Sequence, residues 1–164
     1  MREIKMYSHL SIAEGLRFTG DGACLAFPYR GIDRKKGFVG VFRVEDGSLA
    51  YAIPSDAAGS AFDVEDCGEH GWAAADWCSH SIEFIGGANS SSRLGKRGCG
   101  DGEFMHPAAL ALVPGLGLVV REYSNGGRLQ LFATVDAVAM AAMSISKTTW
   151  MTAVARACFA IRRK

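Results

Sequence analysis

Two short stretches hold the side chains with the most versatile chemistry: Cys67-Gly68-Glu69-His70 and, shortly after, Cys78-Ser79-His80. Thiolate and imidazole are zinc ligands, and four such donors within fourteen residues are enough in kind and number for a tetrahedral site. The surrounding pattern argues against a shared site. Cys67 and His70 fall in a turn between two strands, and Cys78 and His80 fall in the next turn, which lies at the opposite end of an up-and-down sheet. Neither a metal nor a cofactor is expected. Ser79-His80, Ser124 and Cys99 show no spacing that pairs a nucleophile with a base. The Gly-rich run Gly98–Gly102 lacks the GK[ST] ending of a phosphate loop and leads into a strand instead of a helix, so turn geometry accounts for it. Arg30, Arg34, Lys35 and Lys36 form a basic loop beside Tyr29 and Phe38, a combination of charge and aromatic surface that single-stranded RNA can use.

The elements that must position these groups are short strands. From Gly98 to Thr134 the chain has a Gly-rich lead with Phe104 and Pro107, then an apolar run Ala108–Leu112. A Pro114-Gly115 turn, a second run Leu118–Arg121, an Asn125-Gly126 turn and a third run Arg128–Phe132 follow. This unit recurs upstream. Gly15–Phe27, Phe62–Ala74 and Ala108–Val120 each hold two apolar runs around a central Gly, and their first residues are 47 and 46 positions apart. A third strand bearing a Phe (Phe42, Phe84, Phe132) comes after each copy. A period in the forties with several strands per period is the sequence signature of propeller blades.

The run from Gly98 to Phe132 resembles an NHL repeat: a Gly-rich lead, an aromatic, a Pro, two short strands, an Asn turn and a closing strand of the "RVQVF" type, here Arg128–Phe132. Residues 73–84 resemble the same pattern, and the first copy departs from it by the extra turn residues Pro28–Gly37. The resemblance implies a mainly β, NHL-like partial propeller of about three antiparallel blades over residues 1–134, related to six-bladed rings. Three copies are too few to close such a ring, so self-association is one expected way to complete it.

After Thr134 the composition shifts to Ala and Met. Asp136–Met143 and Lys147–Ala160 read as helices, the second with Trp150, Val154, Cys158 and Ile161 on one stripe, so residues 135–164 are expected to form a C-terminal α-helical tail. The 164 residues carry a formal net charge of +1, which creates no field directed at nucleic acid. Five Cys at irregular spacing read as free thiols of a reducing compartment. The first residues hold no apolar signal core, and no apolar run reaches the roughly 18 residues of a membrane span; a cytoplasmic location without membrane contact is expected.

The functional expectation is a non-catalytic module that binds a protein partner through loops on one rim: Arg30, Asp33, Arg34, Asp76, Trp77, His80, Glu122, Tyr123 and Asn125. Asp33, Asp76 and Glu122 each follow the second strand of a copy. The resemblance implies two further readings. One is a metal-centred propeller enzyme of the gluconolactonase-like or amidating-lyase-like kind, in which acidic and His residues at the central channel hold a Ca²⁺ or Zn²⁺ ion. The other is RNA binding, or substrate recognition within a ubiquitin ligase system.

Overall fold

The computed structural model describes residues 15–30, 37–55, 61–86, 92–114 and 116–133, and the backbone of 141–144. It consists of three four-stranded antiparallel sheets, each in chain order. The first holds β1 (Arg17–Phe18), β2 (Cys24–Arg30), β3 (Gly37–Arg43) and β4 (Leu49–Ser55). The second holds β5 (Ala61–Asp66), β6 (Trp72–Asp76), β7 (Ser81–Ile85) and β8 (Ser92–Leu94). The third holds β9 (Pro107–Val113), β10 (Gly117–Glu122), β11 (Leu129–Ala133) and β12 (Ala141–Ser144). No helix among the described residues is long and apolar enough to cross a membrane.

Register makes the repeat concrete. Phe18, Glu65 and Leu112 on the first strands lie opposite Leu25, Ala73 and Leu118 on the second. Those three in turn face Phe42, Phe84 and Phe132 on the third. One phenylalanine per sheet therefore sits at an equivalent position, as the spacing predicts. The expected helix over Asp136–Met143 is corrected in part: Ala141–Ser144 is the fourth strand of the third sheet, with Leu131 opposite Met143. Ala and Met favour helix by only a few tenths of a kcal/mol per residue, whereas β11 would otherwise leave a row of backbone N–H and C=O groups unpaired. The remainder of the expected tail, including Trp150, Val154, Cys158 and Ile161, lies outside the described residues.

The middle sheet is covered on both faces. Trp72 and Ala74 of β6 point into a core shared with Ala26, Val39 and Val41 of the first sheet. Ala73 and Ala75, alternating to the other face, meet Leu110, Leu118, Val120 and Phe132 of the third sheet, with Phe104 beside them. All five residues of β6 are buried, so a run of three alanines here marks two-sided burial and close approach of neighbouring sheets.

The free edge of β9 is closed by charge. Asp63, 6% exposed, accepts the Leu110 amide at 2.9 Å, and Glu65 accepts the Leu112 amide at 2.8 Å. Arg17 donates to the carbonyls of Leu110 (2.9 Å) and Val64 (3.3 Å) and to Asp63 (3.1 Å). Its Nε also lies 2.6 Å from Glu65 Oε2 as an ion pair without hydrogen-bond alignment, because that N–H is aimed at Val64. Three first strands are thereby tied by one guanidinium and two carboxylates.

Burial raises the pKa of Asp63 and Glu65 above the ordinary carboxylate range, against the pull of the Leu110 and Leu112 amides and of Arg17. A carboxyl whose folded pKa is raised binds more protons folded than unfolded between the two values, so it stabilises the fold as pH falls through that window. Arg17→Met should remove the compensating cation and cost about 2–3 kcal/mol at pH 7. That is less than the 3–5 kcal/mol of a fully buried pair, because Arg17 is 35% exposed. Urea unfolding at pH 7 and pH 5 checks this: the loss should shrink at pH 5, and an equal loss at both would show that the carboxylates do not depend on Arg17.

Candidate functional site

The β2–β3, β6–β7 and β10–β11 connections all lie at one end of the three sheets. At that end Asp76, 3% exposed, closes the β6–β7 turn. Its Oδ1 accepts the amides of Cys78 and Ser79 at 3.1 Å each, and Arg93 of β8 lies 3.4 Å from its Oδ2. Aspartate at a strand end supplies the acceptor that a tight turn lacks. The turn projects Trp77 and His80 towards the third sheet.

Glu122 has the corresponding place at the end of β10 and is fully buried. Its carboxylate pairs with Arg128 Nε and accepts the Met105 amide at 2.7 Å and Gln130 Nε2 at 3.2 Å. Arg128 donates to the carbonyls of Cys99 (2.6 Å), Gly100 (3.1 Å) and Glu103 (2.6 Å). Gln130 exchanges bonds with the same loop, donating to Glu103 O at 2.8 Å and accepting the Gly102 amide at 2.9 Å. The spacing Glu122, Arg128, Gln130 is thus a clamp on the Gly-rich lead. Gly95, at φ 84°, lies against the Phe104 ring, where a Cβ would stand 2.3 Å from a ring carbon. Asp76 and Glu122 lie beneath the rim and organise it.

Above these acids stands a cluster of rings. Trp77 stacks on Phe62 (centroids 4.3 Å, 21°) and on His106 (4.5 Å, 29°), with Tyr123 tilted against it at 5.0 Å. His80 meets His106 at 4.5 Å. The His106 amide donates to His80 Nδ1 at 3.1 Å, His106 Nδ1 is 2.9 Å from Ser124 Oγ, and the Tyr123 amide donates to His106 O at 2.8 Å. Tyr123 is 66% exposed. His80 and His106 both adopt left-handed backbone (φ 56° and 60°), a costly conformation for residues other than glycine that tends to gather where a site is pre-organised.

Of the residues expected at the rim, Asp76, Trp77, His80, Glu122 and Tyr123 come together here. Asn125 is exposed in the neighbouring left-handed turn (φ 59°). Arg30 ends β2 at the same end; Asp33 and Arg34 lie outside the described residues. Phe62, His106 and Ser124 join the cluster without having been expected from the sequence. For His106 the available signal was its place before Pro107, which bars the ordinary helical backbone and leaves extended or unusual geometry.

Cys67 and His70 lie in the β5–β6 connection, at the other end of β6 from Cys78 and His80. Burial, reinforced by Glu65 and Asp66, pushes the Cys67 thiol up to about 12. Cys24, Cys67, Cys78 and Cys99 are free thiols. Among the described residues no three or more His, Cys, Asp or Glu side chains gather in metal-binding geometry. No protein-family model matches the chain, and no curated protein matches it.

What the arrangement offers chemically is an aromatic surface edged by neutral hydrogen-bonding groups and held from below by buried ion pairs. The clamp can be tested on its own. Arg128→Met leaves a fully buried Glu122 without its cation and should cost about 3–5 kcal/mol in urea unfolding. Adding Glu122→Gln should recover part of that loss, because the uncompensated charge is gone; no recovery would mean that the guanidinium bonds to the Gly-rich lead carry the effect.

Proposed function

We propose that the chain forms three NHL-like blades of an incomplete β-propeller and acts as a non-catalytic module that binds a protein partner through the rim built on Trp77, His106 and Tyr123. The observation that carries this reading is Tyr123, 66% exposed yet seated against Trp77 at 5.0 Å, an aromatic already ordered at the surface. Such residues serve as binding anchors because little rotamer freedom remains to be lost on association. The repeated register of three up-and-down sheets supports the propeller part of the reading.

A metal-centred enzyme finds less support. The acids on the first strand of the middle sheet are matched by Arg17, and those at the ends of β6 and β10 by Arg93 and Arg128. RNA binding has one observation in its favour, the basic run Arg30, Arg34, Lys35 and Lys36 in the sequence, of which Arg30 ends β2 at the same end as the ring cluster.

The test uses the immobilised full chain to capture a partner and then measures its affinity for variants. Tyr123→Ala should weaken binding about tenfold or more, as loss of an anchor does, while Glu45→Ala in the β3–β4 turn at the opposite end should leave it unchanged. Binding indifferent to Tyr123→Ala would sink the rim reading. Capture abolished by nuclease, with a steep salt dependence that falls when Arg34, Lys35 and Lys36 are neutralised, would favour RNA instead.

A further inference from the structure

His80 and His106 form a contact whose chemistry permits only one protonation state. The His106 backbone N–H donates to His80 Nδ1 at 3.1 Å, so Nδ1 must present a lone pair and the neutral ring carries its hydrogen on Nε2. A proton on Nδ1 would set N–H against N–H at that distance. The bond must then break, because imidazolium has two donors and no acceptor.

The His106 backbone is the element that this bond holds. It sits at φ 60°, a conformation that persists only when its surroundings impose it. The same residue accepts the Tyr123 amide through its carbonyl and lays its ring on Trp77. The segment therefore links both aromatic residues of the rim to one imidazole lone pair.

We propose that His80 is a proton-operated latch: neutral, it fastens the His106 backbone and keeps the Trp77–His106–Tyr123 rim closed; protonated at Nδ1, it releases that segment and loosens the rim. The latch concerns the conformation of this chain and stands whichever partner the rim binds. Other titratable or charged groups facing His80 are His106 across the ring contact, Arg97 from the segment between β8 and the Phe104 loop, and Asp76 beneath the turn, itself paired with Arg93. Burial, then His106 and Arg97, hold the His80 pKa below its ordinary 6.5, with Asp76 pulling the other way. A histidine depressed in the folded state binds fewer protons folded than unfolded, so its contribution to stability is present above the unfolded value and is lost as pH falls below it. The latch is closed at neutral pH and opens under mild acid.

The decisive measurement is amide hydrogen exchange at His106, corrected for the intrinsic pH dependence of exchange, alongside NMR titration of both histidine rings. Protection of the His106 amide should drop about tenfold or more between pH 7.5 and pH 5, with a midpoint that follows the His80 ring. His80→Asn supplies a fixed acceptor at nearly the same position and tolerates the left-handed backbone that His80 occupies at φ 56°, so its His106 amide should stay protected at both pH values. Equal protection in the unaltered protein at both pH values would overturn the latch. So would a midpoint that follows the His106 ring, or the same acid loss in His80→Asn. Should His80→Asn fail to fold, the midpoint in the unaltered protein decides alone.

Discussion

The first strands of the second and third sheets, β5 and β9, each have an edge that no strand pairs with, and the closure of those edges by Arg17, Asp63 and Glu65 is the constraint on which the remaining architecture depends. An exposed row of backbone N–H and C=O groups invites pairing with another chain, and covering it with apolar side chains would leave those groups unsatisfied. Here side-chain oxygens of β5 take the Leu110 and Leu112 amides of β9, and Arg17 takes carbonyls of β5 and β9. The solution brings two carboxylates close together in a buried place, which the guanidinium offsets while they are ionised. Gly15 belongs to the same arrangement. A Cβ there would stand 2.2 Å from Asp63 Oδ1, so the backbone entering β1 passes against the carboxylate that β1 helps to neutralise.

The same chemistry recurs at the rim with different residues. In the second sheet an acid ending the second strand holds its turn and is matched by Arg93 from the fourth strand; in the third sheet the acid is Glu122 and the arginine, Arg128, precedes the third strand. The longer Glu side chain and the nearer arginine suit the third sheet because the Gly-rich lead must be gathered in as well. Three of that lead's carbonyls have no strand partner, and Arg128 supplies donors to them. Buried ion pairs contribute little net stability compared with apolar packing, so what they bring is position: they set where the turns, and hence the rings above them, stand.

Strands and turns were legible in the sequence because their causes are local. Asp46-Gly47 and Asn125-Gly126 announce reversals, alternation marks half-buried strands, and the equivalent phenylalanines at 42, 84 and 132 keep their place in each sheet. The Arg17–Asp63–Glu65 network was not legible. Its partners are 46 and 47 residues apart, and a charged residue within an apolar strand looks the same whether it meets solvent or a buried counter-charge. The strand at Ala141–Ser144 was missed for a related reason, since alanine-rich composition expresses helix propensity only while nothing outside the segment competes for its backbone. Trp77, His80 and Tyr123 were legible as rim residues from their turns, but their convergence came through Phe62 and His106, contributed by the entry to two first strands.

The two left-handed histidines complete the physical picture of that rim. Glycines at these turns would adopt the left-handed backbone without steric strain, but with greater freedom in the unfolded chain to lose on folding. Histidine at both positions instead accepts backbone strain and recovers it through side-chain contacts that glycine cannot make: Nδ1 of one ring takes the amide of the other residue, and the second ring stacks on Trp77 while meeting Ser124. The buried ion pairs below fix where the turns begin, and neutral, directional contacts above fix how the rings are presented. Burial raises the pKa of the edge carboxylates, so their protonation stabilises the fold as pH falls, whereas the imidazole contact is lost when its ring takes a proton. Acid thus acts in opposite directions on two classes of polar contact, the carboxylates at the sheet edges and the imidazole at the rim.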